Sequence, residues 1–168
     1  TLWKKDAHPE IADLYVHARP GDSVRDRLKR AQKLQSLRNN NAVASLAVAR
    51  AALQAGDFRL ARDEAEAAIR LDPREGAFLL MADVEEADTG EQGKVRQWLA
   101  RALRAPRDPA WVADGYIADR WAPFSPVTGR IDALVWKVPV ERAAQMIEQD
   151  DGIHPALEPA APASLPEP

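Results

Sequence analysis

The stretch from Ala42 to Arg74 is followed, 34 residues later, by a second copy of its own pattern. In the first copy small residues recur at helical spacing, Gly56-Asp57 makes a turn, and an amphipathic run ends in Leu71-Asp72-Pro73. The apolar positions of that run are Phe58, Leu60, Ala61, Ala65, Ala68, Ile69 and Leu71. They fit a period of about 3.6 residues and not an alternation. In the second copy Gly56-Asp57 becomes Gly90-Glu91, Ala61 becomes Val95, Ala65 becomes Leu99, Ala68 becomes Ala102 and Leu71 becomes Ala105. Leu46 and Val48 likewise become Leu80 and Ala82. One period upstream the echo is weaker, with Ala12, Leu14, Ala31 and Leu37 in the corresponding places. A fixed period of this length marks a stacked-repeat architecture. It predicts three helical hairpins, at about 8–40, 42–74 and 76–108.

Close packing explains the residue types. Two antiparallel helices approach tightly only where side chains are small, which assigns Ala49, Ala61 and Ala68 to the crossing points. Phe58, Leu71 and Leu79 are expected to fill the space between hairpins. Pro73, and Pro106 and Pro109 in the next unit, stop the second helices. The period, with Ala49, Phe58, Ala61, Ala68 and Pro73 in frame, resembles the tetratricopeptide repeat. The middle unit matches well, the third moderately and the first poorly. The first-helix Trp and Tyr of that repeat are Ser45 and Ala52 here. The expected fold is mostly α, a tetratricopeptide-type α-solenoid of about three helical hairpins with a small β-hairpin appendage at the C-terminal end.

Composition removes several function classes. The chain has 168 residues and no Cys, so disulfides, thiolate metal sites and cysteine nucleophiles are excluded. A net charge of −3 does not suit a nucleic-acid binder, and no nucleic-acid partner is expected. No apolar run is long enough to span a bilayer. The opening at Thr1, without Met or a signal pattern, reads as a processed chain or an excised part of a longer protein.

Beyond the repeats, expected over 1–108, the composition changes. Three of the five Trp (Trp111, Trp121 and Trp136) cluster here with Pro and Gly, and helical periodicity is lost. Ile131 to Val138 alternates and reads as a strand, with Ser125-Pro-Val-Thr-Gly129 as a tight turn before it. Trp111-Val112 and Arg120-Trp121 are candidates for the other side of a small sheet. Pro139 to Gln149 reads as a short helix, closing a second region over 109–149. The Pro/Ala-rich remainder, 150–168, reads as a disordered tail.

The residues Asp108-Pro-Ala-Trp-Val112, Trp121-Ala-Pro123, Ser125-Pro-Val-Thr-Gly-Arg130 and Trp136 resemble the C-terminal piece of the HemY family of bacterial membrane-anchored tetratricopeptide proteins, in its alphaproteobacterial form. That resemblance implies anchoring in the bacterial inner membrane through a part absent from this chain. It also implies a domain on the cytoplasmic side and an association with haem or porphyrin biosynthesis. The same segment looks like a rubredoxin-type zinc knuckle without its ligands. Ala113 and Tyr116 stand at one pair of ligand positions, Ser125 and Thr128 at the other, so no zinc is expected. Burial of the Trp side chains, worth about 2–3 kcal/mol each, would replace the metal. The alternative is a plain Trp-rich hairpin packed on the last helix. Either way the module is expected to cap the last hairpin.

No constellation asks for catalysis. His8, His17 and His154 are the only imidazoles; His8 and His17 fall on opposite sides of a helix and cannot chelate one ion. A haem, were one bound, would find His17 as the one histidine on a regular helix; no cofactor is expected. Ser125 lacks a nucleophile elbow and a His at suitable spacing. Asp63, Glu64 and Glu66 are expected outward, paired along their helix with Arg59, Arg62 and Arg70. The basic run Arg25, Arg27, Lys29, Arg30, Lys33 and Arg38 is either a solvated outer face or a contact for anionic lipid.

The first helix of each hairpin lines the inner surface in such stacks. The frame aims Val43, Leu46, Ala47, Arg50 and Leu53 there from the middle unit, and Ala77, Leu80, Met81 and Val84 from the third. An apolar lining with one Arg suits an apolar or amphipathic segment of a protein partner. The alternative is that these positions pack against an upstream repeat or the chain's own last helix. The expectation is a non-catalytic interaction scaffold, with a haem carrier or a general envelope-assembly adaptor as rivals.

Overall fold

A computed structural model describes residues 2–113, 116–118, 120–123 and 125–139. The helix expected over 139–149 and the tail over 150–168 fall outside the described residues, apart from Pro139. After a short α1 (Leu2–Lys5) come six longer helices, α2 (Pro9–Val16), α3 (Val24–Leu37), α4 (Ala42–Gln54), α5 (Phe58–Leu71), α6 (Glu75–Asp88) and α7 (Gln92–Arg104). They pack sequentially as three hairpins, α2/α3, α4/α5 and α6/α7, and α4 also touches α2 and α6. The first helices therefore lie side by side.

Local chemistry sets the ends. Ser23 and Asp26 form a reciprocal capping box at the start of α3. Asn41 and Asp57 cap α4 and α5 through their side-chain oxygens. Gly56 and Gly90, one period apart, both take left-handed backbone, at φ 76° and 67°. The cap of α6 comes from far along the chain. Asp108 Oδ2 accepts from Gly76 N at 2.7 Å, and Pro106 O from Glu75 N at 2.9 Å. A Cβ on Gly76 would stand 2.7 Å from that carboxylate oxygen, so a larger residue would push the Asp108 side chain out of its present place.

The core is built from small residues, as the close-packing reading required. Ala44, Ala49, Ala52, Ala61, Ala65 and Ala68 are fully buried. The larger fillers differ from those expected. Leu71 and Leu79 are 45% and 39% exposed, while Met81, Leu80 and the half-buried Trp98 pack on Ala49 and Ala65. Helix α6 turns Leu79 to solvent because its Leu80/Met81/Val84 face is the one pressed against α4 and α5. The arginines also pair differently. Arg62 Nη1 meets Glu85 Oε2 at 2.7 Å and Arg62 Nη2 meets Asp88 Oδ2 at 3.2 Å on α6. Glu64 accepts from Gln35 of α3 at 2.7 Å. These are bonds between helices, not along one. Glu85 is 2% exposed, and the Arg62 guanidinium, with help from Thr89, holds its carboxyl below the ordinary value of 4.5 against the opposing effect of burial.

The C-terminal module is the expected small β-hairpin with a third antiparallel strand added. Its strands are β1 (Ala110–Ala113), β2 (Tyr116–Ala118) and β3 (Val135–Lys137), in order β2-β1-β3. Trp111 pairs with Ala118 on one side and Trp136 on the other. Two expectations need correction. The partner strand is Tyr116–Ala118, while Arg120 and Trp121 lie outside any strand. The last strand is shorter than 131–138, because Asp132 sits at φ 52° and leaves Ile131 79% exposed. The turn at Ser125–Gly129 is present. Ser125 is buried, its Oγ accepts from the amides of Val127 and Thr128 at 3.3 Å, and its carbonyl accepts from Gly129 N at 2.8 Å.

Candidate partner-binding groove

The module is tied to the last hairpin at the start of α6 and also reaches back to the first. His8 stands before α2, where its Nδ1 accepts from Glu10 N at 3.2 Å and caps the helix. Its ring lies 5.6 Å from Trp111 and 4.2 Å from Trp136, and the two indoles meet edge-on at 5.2 Å. Trp111 Nε1 donates to Glu10 Oε1 at 2.7 Å, a bond between residues 101 apart in sequence. The cap of Asp108 on α6 fixes where the sheet begins, and the His8/Glu10 contact fixes where it lands. Between these points it crosses the row of first helices.

Three connected hollows lie in that space, all sharing Arg50. One of about 170 Å³ opens between α2 and α4, lined by Pro9, Val16, His17, Val43 and Ala47. The next, about 270 Å³, lies under the sheet, with Val43, Leu46, Ala77, Pro109 and Trp136 in its walls. The outermost, about 580 Å³, is bounded by Glu10, Asp13, Leu14, Arg120, Trp121 and Trp136. The guanidinium of Arg50 has no hydrogen-bond or ion-pair partner among the described residues. The carboxylates around it do. Asp13 faces His17 at 3.2 Å, Glu10 takes the Trp111 indole, Asp72 pairs with Arg74 at 2.9 Å and Asp108 caps Gly76.

Of the residues aimed at this surface by the repeat frame, Val43, Leu46, Ala47, Arg50 and Ala77 line it. Leu80, Met81 and Val84 are buried between hairpins, and Leu53 is half-buried among them. Leu46 and Ala47 correspond by period to Leu80 and Met81, yet they are half-buried while α4 and α5 cover Leu80 and Met81. Helix α2 spans only Pro9–Val16. His17 lies at the end of this short helix as its C-terminal cap. Trp136, Trp121 and Arg120 were outside the frame altogether; the clustering of Trp was the only signal that pointed to them. Among the described residues no group of three or more His, Cys, Asp or Glu is placed to hold a metal ion.

No protein-family profile matches the chain, and no solved structure matches it. It is similar to a protein described as "Probable magnetosome protein Mms48" of Magnetospirillum gryphiswaldense, 28% identical over 112 residues. The aligned stretch is 65% of this chain and 25% of that protein, so the match spans a quarter of the relative's length.

Proposed function

We propose that the chain is a non-catalytic, tetratricopeptide-type interaction domain that grips an amphipathic segment of a protein partner between its first helices and its Trp sheet. The observation that carries this reading is Arg50, an exposed guanidinium beside apolar walls, with no partner among the described residues and with the described carboxylates around it engaged elsewhere. An apolar segment bearing one acidic side chain would satisfy both features at once. The HemY resemblance of the module supports a scaffold role beside haem or porphyrin biosynthesis, on the cytoplasmic side of the bacterial inner membrane. No helix among the described residues is long and apolar enough to cross a membrane, and the anchor in this reading is one that the HemY resemblance implies.

The test is affinity capture from solubilised membranes with wild type, Arg50→Glu and Val43→Asp, all three checked for helical content. Loss of the same proteins from both variants is expected. Recovery of an unchanged set by both would remove the groove from the account. The identity of the captured proteins, enzymes of the pathway or envelope components, decides between the scaffold and the assembly-adaptor readings.

His17 beside Val43, Ala47 and Arg50 favours a second reading, a haem or porphyrin carrier. Hemin titration would then give a saturable Soret shift that His17→Ala abolishes. Without such a shift, or with one indifferent to His17→Ala, ligation by this residue is excluded.

A further inference from the structure

On the opposite side of the first hairpin lies a surface the groove does not use. Helix α3 carries Arg25, Arg27, Lys29, Arg30 and Lys33 against a single acid, Asp26. That acid is tied into the capping box, accepting from the hydroxyl of Ser23 at 2.8 Å. The other nearby acid, Asp22, is held by Arg30 at 2.8 Å. Arg19, Arg25, Lys29 and Lys33 form no ion pair among the described residues. Arg19, Lys29, Arg30 and Lys33 surround a shallow hollow of about 480 Å³ that also includes Tyr15.

The exposed ridge of α3 is not purely basic. Arg25, Lys29, Lys33 and Leu37 follow one another at four-residue spacing, all exposed, with Leu37 38% exposed at its end. Beside that end, Trp3 is buried and donates from Nε1 to Leu34 O at 3.1 Å. This contact holds α1 against α3 and leaves Leu2 67% exposed next to the exposed Lys4 and Lys5. Cations interleaved with bare aliphatic side chains match the boundary of a bilayer, where headgroup phosphates meet acyl chains. A polynucleotide backbone would use the cations and gain nothing from Leu2 or Leu37.

We propose that this face of the first hairpin, α1 with the ridge of α3, docks on a bilayer surface containing anionic lipid. The inference is independent of the groove, which lies on the other side of α2. The chain's net charge of −3 gives no general attraction to such a surface, so binding must come from the local patch.

Co-sedimentation of the purified chain with phosphatidylcholine vesicles, with and without phosphatidylglycerol, tests it. Binding is expected only to the anionic vesicles and is expected to fall at high salt. Each cation lost weakens partition by about fivefold, so Lys29→Glu/Lys33→Glu is expected to weaken it by at least about 25-fold. Both lysines are exposed, so this variant keeps its fold, as circular dichroism would show. The control Arg96→Glu/Arg104→Glu makes the same change in net charge on α7 and is expected to bind as wild type does. Three results would overturn the proposal. They are no binding to anionic vesicles, an equal loss in the control, and tighter binding to a single-stranded oligonucleotide than to vesicles at equal phosphate.

Discussion

The middle of the stack and the C-terminal sheet are both attached to their neighbours, by opposite means. Hairpins α4/α5 and α6/α7 meet through fully buried alanines, Met81 and Val84, with one buried carboxylate matched by Arg62. The sheet meets the helices through side-chain tips: two indoles on one imidazole, one indole N–H on Glu10, one carboxylate on one amide. The first attachment resists change everywhere along its length, since interiors at native density tolerate neither gaps nor added volume. The second can open without unfolding what it covers. The sheet has three short strands and only a small apolar cluster of its own, built on Ala113, Ala133 and Leu134. It is therefore a candidate for local opening at a free energy well below that of the stack.

The largest expected effect is at the buried carboxylate. Arg62→Met leaves Glu85 2% exposed with only Thr89 as donor, and should cost about 3 kcal/mol in urea unfolding. The same variant should change the acid limb of stability. Glu85 has a lowered folded pKa, so its contribution is complete above its ordinary 4.5 and is lost as pH falls through the lowered value. In Arg62→Met that loss should flatten, and an unchanged acid limb would mean the pair does not govern it.

Next comes overpacking. Ala65→Leu adds volume where α5 meets Ala49, Leu80 and Met81, at an expected cost of about 2 kcal/mol. A value near zero would show that the stack is looser than its buried alanines imply. The smallest effect is expected at the sheet. Trp111→Phe keeps an aromatic ring against His8 but removes the bond to Glu10, a loss of about 1 kcal/mol. It should appear as faster amide exchange in β1 and β3 with the midpoint of the helical transition nearly unchanged. If the helices lose stability by the same amount, the two regions unfold as one and the contrast between them fails.

The fold was largely legible because its strongest signals are local. Gly56 and Gly90 mark their turns by a backbone conformation other residues avoid, and Ala at crossing points follows from distance alone. The groove was legible only in part. Position in a repeat says which face a side chain takes, not how completely the neighbouring side chains cover it. Leu46 and Leu80 share a position, yet one lines a hollow and the other is core. The sheet's landing place was not legible at all. His8 and Trp111 carry no mutual pattern over a separation of 103 residues, and Arg62 looked equally able to pair along its own helix.

The bond from Asp108 to Gly76 bears on how such an array can lengthen by duplication of its unit. A copy of the 34-residue unit inserted ahead of Ala42 would bring its own Asn-type cap and keep Asp108 on Gly76, but it would carry His8 and Glu10 one unit away from the Trp sheet. A copy inserted after Arg104 would carry Asp108 away from α6 and strip that helix of its long-range cap. It would also move the Trp sheet out of reach of His8. Growth of this chain by duplication is thus restricted on both sides. By tying the first hairpin to the last, the sheet fixes the number of units between them.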